Sequence, residues 1–538
     1  MSERDMRILL QNGFIVDGTG KKGYQGNLLI EAGLIKEISE KDIKTDCEAI
    51  DCTGKVISPG FIDMHSHNDW FLPTETTDNF TAPFTQQGIT TFVAGNCGFS
   101  AAGFRKNSQY LDKILSNPFQ SSGINITWSS MREYFDVLKD NKLTNNVATL
   151  VGHGSVRASI KGYDPSPLTK EEQKELLEHL DEAMEQGARG VSLGLQYEPG
   201  IFSSTEEIKE IAKLVKKKDK LLTVHSRASS ALSGTYPLKL FGTPHNILAL
   251  EEMINVAKET GVKLQYSHLL FVGTRTWKSF DKTMDIIDRA IAEGVDLMFD
   301  TYAYSCGASV ISVILPEWFM AKVPEAYENK KDLSKLKFEL NLIEKLLGFG
   351  YGDIQISYID HPELSKYIGR FISDIAKEWK RTPFETYIEF AKKSNGKARV
   401  MQYKYSSPKM IEEFMKHPAS IFMTDAWIET MGSQNQSCFG CFPKFLQLAR
   451  DKKMITLEEA IYKMTLAAAT RAELKDRGVL KTGVAADITV FDWTNISDNT
   501  SETKTDNAPS GIEHVFINGI QVLKNGQLIS GLRPGVVL

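Results

Sequence analysis

Cysteine is scarce in this chain: six among 538 residues, at positions 47, 52, 97, 306, 438 and 441. Cysteines so few and so dispersed exclude a disulfide framework. Cys438-Phe439-Gly440-Cys441 is a CxxC, but no second pair completes a four-cysteine zinc site and no strand–CxxC–helix context marks a redox pair. It reads as two reduced thiols in a loop. Long apolar runs are also missing: none approaches 18 residues, which excludes a membrane-spanning helix. Met1-Ser2-Glu3-Arg4-Asp5 is polar and no signal-like stretch follows, so a cytoplasmic location is expected. Charge of one sign is lacking too. A net charge of −5 gives no electrostatic case for nucleic acid or a membrane surface as partner. There is no internal repeat and no low-complexity tract; residues 497–510, rich in Ser, Thr, Asn and Asp, read as an exposed loop.

The middle of the chain alternates two patterns. Short apolar segments at 60–67, 90–96, 147–153, 190–195, 221–226, 263–268, 295–304 and 420–425 predict strands. Between them, 170–187, 247–260 and 283–293 carry apolar residues at helical spacing, such as Leu176, Leu177, Leu180 and Met184. Eight strands alternating with helices predict an α/β fold, a parallel (β/α)₈ TIM barrel. Residues 305–418 are too many for one loop and predict an insertion of helices with an extra strand near 353–359. The two ends carry short alternating runs, Ile8–Val16 and Leu28–Ile30 early, Ala486–Phe491 and His514–Gly519 late. Neither end has strands enough for a core of its own. The expected layout is a small β-sandwich from residues 1–58 and 477–538, with the barrel, 59–476, inserted in it.

Histidine is scarce as well, ten in all, and its placement is informative. His65-Ser66-His67 closes the run Val56–Met64, and residues i and i+2 of a strand point to the same side. Four more potential ligands fall at the ends of other strand candidates: Cys97, His225, His268 and Asp425. Each alone has a plain reading: a hydrogen-bonded core histidine, a small buried thiol, a helix cap. Barrels of this type gather the C-terminal ends of their strands at one rim, so the six would converge there. Imidazoles with a thiolate and a carboxylate suit Zn²⁺, one or two ions.

The motifs Gly60–Asp69, Gly95-Asn96-Cys97-Gly98-Phe99-Ser100, Gly152-His153-Gly154 with Arg157, and Gly187–Gly200 with its Gly-Leu-x-Tyr-x-Pro-Gly carry a family resemblance. So do His225-Ser226-Arg227, Ser267-His268-Leu269, Thr424-Asp425 and Gly483–Ile488. The chain resembles the amidohydrolase superfamily, and within it the D-aminoacylase (N-acyl-D-amino-acid deacylase) family, over nearly its whole length. That resemblance implies a small-molecule amide as substrate. It implies zinc held by Cys97, His225 and His268, with a second position at His65, His67 and Asp425. The metal lowers the pKa of a water, near 15.7 in bulk; Asp425 takes the proton and returns it to the leaving amine as general acid. Asp69 would orient a histidine ligand. Tyr197 matches a tyrosine that binds the substrate carboxylate; Arg227 is a candidate contact; His153 serves either the substrate or the structure.

Two positions depart from the family. Leu270 stands where a carboxylate-binding lysine is expected, and Ser437 where an arginine is. Losing both removes two charge-assisted hydrogen bonds of roughly 1.5–3 kcal/mol each. A carboxylate facing leucine binds poorly. The expected substrate is therefore more apolar or neutral near the scissile bond, with Leu269–Val272, Trp277 and Trp427 as lining. The rival readings are a cyclic-amide hydrolase like dihydroorotase or hydantoinase, and a non-catalytic zinc-containing binding protein. A homo-oligomer is left open, since nothing in the letters defines an interface.

Overall fold

The computed structural model describes residues 7–115, 119, 124–236 and 242–538; the polar opening Met1–Asp5 lies outside them. Strands Phe61–Asp63, Ile89–Ala94 and Asn146–Thr149 form a parallel three-stranded sheet. Strands Val151–Gly152, Gly190–Gly194, Leu221–His225, Lys263–Tyr266, Leu297–Thr301 and Ser420–Phe422 form a parallel six-stranded sheet in chain order. Leu150 alone separates the two sheets along the chain, and its N–H donates to Ala94 O at 2.8 Å. At the other edge Ser66 bridges Ala426 in parallel, and the Asp425 N–H donates to His65 O at 3.0 Å. These strands are buried throughout, all six residues of Ile89–Ala94 for example, which is the pattern of a parallel sheet covered on both faces.

The covering helices follow their strands. Lys170–Glu185 turns Leu176, Leu180, Ala183 and Met184 to the core, and a capping box between Thr169 and Glu172 fixes its start. His245–Thr260 and Phe280–Ala292 begin earlier than their apolar patterns suggested. The strands are shorter than the apolar runs predicted. They end at Asp63, Ala94, Tyr266 and Phe422, so most of the candidate ligands stand past the last ladder hydrogen bond.

The two ends of the chain meet in a nine-stranded sheet. Val56–Pro59 pairs antiparallel with Ile488–Phe491, joining the N-terminal strands Arg7–Ile15, Tyr24–Glu31, Leu34–Ser39 and Glu48–Asp51 to Ile512–Ile517, Ile520–Lys524 and Gln527–Leu528. Ile8, Leu10, Leu28, Ile57, Ile488, Val490 and Phe516 share a core there, so neither end buries its apolar face without the other. The insertion holds its own antiparallel sheet, with Arg399–Gln402 between Gly307–Val310 and Ile354–Tyr358, where one extra strand was expected. Helices Lys330–Leu347, Ile372–Trp379 and Pro383–Lys393 cover it over a separate core that includes Leu336, Leu340, Ile356, Tyr387 and Val400.

Candidate metal centre

Five of the six candidate ligands sit beyond strand ends, and His225 ends its own strand. His65 and His67 are not in a strand, so the alternation argument does not account for their common aim. A hydrogen-bonded lock does. Asp63 accepts from the Thr424 N–H at 2.9 Å and the Thr424 hydroxyl at 2.6 Å, and the His67 N–H donates to Ala426 O at 3.4 Å. The segment after the first parallel strand is thereby zipped to the segment after the last, which sets Asp425 beside both histidines.

Three of the ligands have left-handed backbone: Cys97 at φ +52°, His268 at +32° and Asp425 at +50°. Each such residue costs on the order of 1–3 kcal/mol, and such residues persist where surrounding structure over-determines them.

The donor atoms converge on Cys97. Its Sγ lies 3.3 Å from His65 Nε2, 3.3 Å from His268 Nε2 and 3.6 Å from His225 Nδ1. Asp425 Oδ1 lies 3.3 Å from His67 Nε2 and 3.4 Å from His65 Nε2. Two overlapping groups result: His65, His67, Cys97 and Asp425, and Cys97, His225 and His268, with donor atoms within 4.8 Å of one another in each. A tetrahedral ion with bonds of about 2.0–2.3 Å sets neighbouring ligand atoms about 3.3–3.8 Å apart. The observed spacings and the N, S and O donor set therefore fit a zinc-like ion, with the thiolate common to two positions.

Electrostatics favour the thiolate form of Cys97. Burial pushes its pKa up, but His65 and His268 outweigh burial and hold it well below the ordinary value. Burial opposes charge on His65, yet the Cys97 thiolate and Asp425 raise it well above the usual histidine range. His268 is raised against burial by Cys97 and Asp425, whereas burial and the neighbouring His268 lower His225. Burial works against the Asp425 carboxylate; His65 and His268 outweigh it and keep its pKa below the usual value. This set would hold a divalent cation with its imidazoles neutral and its thiol ionised, since ligands bind deprotonated.

Sequence reasoning missed Asp300. It is the penultimate residue of the strand Leu297–Thr301, lies 3.5 Å from His65 Nδ1, accepts from the His268 N–H at 2.6 Å and from Gln265 Nε2 at 2.9 Å. Its signal was a carboxylate inside a mostly apolar strand candidate, which Asp296 shares. Asp69, expected to orient a histidine, accepts instead from the Ala101 N–H at 3.0 Å. Gln196 Oε1 holds His225 Nε2 at 3.1 Å. Phe119 was also missed: its ring stacks flat on His67 at 3.7 Å and meets Trp427, Phe99 and Tyr197 at 5.2–5.9 Å.

The other candidates separate cleanly. Tyr197 faces the cluster, its ring 4.5 Å from His225. Trp427 stands edge-on to His67 at 5.5 Å and is tied to Glu429 through its indole N–H. Arg227 is committed elsewhere: Nε to Glu252 at 2.9 Å, with Ile201 O and Ser203 O taking its two terminal nitrogens. His153 opens the helix His153–Lys161 and pairs with Glu207 at 2.8 Å, a buried network that Arg157 joins. Leu270 is half-buried, while Ser437 is buried in the first turn of Ser437–Lys452, where its carbonyl accepts from Gln87. Phe271 packs against Phe280 and Phe414 rather than the ligands. Cys438 and Cys441 lie in that helix and not in a loop, their thiols donating to Trp427 O and Met423 O at 3.0 and 3.2 Å.

An α/β fold with such a donor set at the carboxyl ends of parallel strands defines a metal-dependent enzyme. Residues 56–303 match the amidohydrolase family model. The chain is 26% identical over 549 residues to N-acyl-D-glutamate deacylase of Alcaligenes xylosoxydans xylosoxydans, covering 100% of this chain and 97% of that one. It is 27% identical over 544 residues to D-aminoacylase of the same organism, covering 100% and 99%. Among solved structures, N-acyl-D-glutamate deacylase from Bordetella bronchiseptica, complexed with zinc and a phosphonate mimic of the tetrahedral intermediate, superposes with a TM-score of 0.79 at 27% identity. That match covers 99% of each chain. No helix among the described residues is long and apolar enough to cross a membrane.

Proposed function

We propose that this chain is a zinc-dependent hydrolase of a carbon–nitrogen amide bond, D-aminoacylase-like in its machinery and altered in its substrate. The observation that carries the reading is the gathering of all six candidate ligands into two overlapping groups, with Cys97 common to both. The parallel sheets, linked through Leu150 at one edge and by the Ser66–Ala426 bridge at the other, are read as one (β/α)₈ barrel over about 59–476, inserted in the β-sandwich of the two ends.

Zinc bound there supplies Lewis acidity, polarising an amide carbonyl and acidifying a water. Cys97, His225 and His268 would hold it, with His65, His67 and Asp425 as the second position. Asp425 is the general acid and base: it is held ionised, and its side chain is 20% exposed where His65 and His67 are fully buried. It accepts the proton of the attacking water and delivers it to the departing nitrogen, a role worth about 10²–10⁴-fold. Asp300, 3.5 Å from the far nitrogen of the His65 ring, would orient that ring.

Substrate recognition is where the chain differs. Leu270 offers no charge, Arg227 is engaged by Glu252, and Ser437 is enclosed in its helix. Phe99, Phe119, Tyr197 and Trp427 instead present aromatic surface beside His67. An apolar acyl group and a neutral substituent near the scissile bond suit that wall. The test is amine release by the zinc-loaded protein from matched N-acyl-D-amino acids, their L-forms, their neutral amides and a six-membered cyclic amide. Turnover favouring the neutral linear amides is expected. Preference for free carboxylates would overturn the altered substrate, and turnover of the ring alone would overturn the linear-amide reading.

A further inference from the structure

Cys97 is held in a backbone conformation that side-chain-bearing residues rarely adopt, φ +52°. Glycines clear the space its loop occupies. A β-carbon would stand 2.2 Å from Leu150 O at Gly95, 2.6 Å from Gly194 N at Gly98 and 2.0 Å from Cys97 O at Gly194. These positions let the loop sit against the neighbouring strands, but they do not attract it. Asn96 ties back to its own strand at Val93 O, and the Ser155 N–H holds Gly98 O. One side chain spans both sides of the cysteine. Ser192, fully buried in the strand Gly190–Gly194, donates its hydroxyl to Gly95 O at 2.5 Å and accepts the Gly98 N–H at 3.0 Å.

We propose that Ser192 is a positioning residue for metal binding: its hydroxyl clasps the two residues that bracket Cys97 and so presents Sγ to His65, His225 and His268. The proposal rests on the metal reading of the cluster. Ser192 touches no candidate ligand side chain, and its effect passes through the backbone on either side of the thiolate. Without the hydroxyl, Gly95 O and Gly98 N lose their shared partner, and the loop can relax toward an ordinary φ that swings Sγ out of the cluster.

The test is titration of the metal-free protein with Co²⁺, reading the thiolate-to-cobalt charge-transfer band in the near ultraviolet, with melting of the metal-free protein recorded alongside. Ser192→Thr and Ser192→Val differ chiefly by the hydroxyl at similar size. The threonine variant is expected to keep the band, and the valine variant to bind cobalt about 10–100-fold more weakly with the band diminished. Thr223→Val, on the adjacent strand beside Asn96, controls for general loosening and should keep the band at a lowered melting temperature. Wild-type cobalt affinity and band in Ser192→Val would overturn the proposal, as would equal loss in Thr223→Val. If the wild-type protein itself gives no thiolate band, it is the metal reading that fails.

Discussion

Cys97 and the pair Cys438 and Cys441 are all buried, yet the chain makes opposite uses of them. Around Cys97 stand His65, His225 and His268, and the thiol is held far down, as a thiolate. Around the pair stand backbone carbonyls and acidic side chains. Burial, then Glu429 and Asp63, pushes Cys438 up, and burial with Asp63 keeps Cys441 protonated as well. The comparison shows that neighbours, not depth, decide whether a buried cysteine is a metal ligand or a small donor in the core. It also accounts for the CxxC, the better-known metal signature, standing here among carbonyls and carboxylates, while the lone cysteine in Gly95-Asn96-Cys97-Gly98 stands among histidines.

The comparison can be broken most forcefully at Cys97 itself. Cys97→Ala removes the ligand common to both groups. The zinc content of the purified protein and its amide hydrolysis should both collapse, by more than the roughly 100-fold typical of losing a group that only orients a ligand. Asp425→Asn should lower kcat about 10²–10⁴-fold while the variant keeps at least one zinc, which metal analysis separates from a simple loss of binding. Asp300→Asn acts one step further out. Weaker zinc retention by about 10–100-fold, measured against a competing chelator, is expected because His65 loses its orienting carboxylate. At the small end, Cys438→Ala with Cys441→Ala should leave kcat unchanged and cost about 1 kcal/mol each in stability, read from denaturant melts. A double variant that lost metal would contradict the assignment of roles.

Much of this was legible in the sequence because ligands at strand ends follow short apolar runs, and the runs were visible. All six candidates meet as expected. The reasons for the meeting were less legible. The common aim of His65 and His67 comes from Asp63 holding Thr424, residues 361 apart in the chain, and not from strand alternation. The left-handed backbone of Cys97 depends on Gly194, and nothing at position 97 announces it. Asp300 was lost among 68 acidic residues because one carboxylate in a strand has no spacing pattern. Phe119 comes from a stretch without periodicity, so its contact with His67 had no local signal. Arg227 looked available two residues after a ligand, and only Glu252, on the following helix, shows that it is not.

The insertion teaches the same lesson on a larger scale. Its existence followed from length alone, and one of its strands was placed close to Ile354–Tyr358. Its central strand, Arg399–Gln402, is four residues long and pairs with partners 41 and more positions away, so no local pattern identifies it.

The central claim, that a cysteine thiolate joins the histidines in holding the metal, is tested most directly by X-ray absorption at the zinc edge of the reconstituted protein. The account predicts a sulfur scatterer at about 2.3 Å together with nitrogen at about 2.0–2.1 Å, and loss of the sulfur shell in Cys97→Ala but not in Cys438→Ala with Cys441→Ala. A zinc shell of nitrogen and oxygen alone, or a sulfur shell that survives Cys97→Ala, would contradict it.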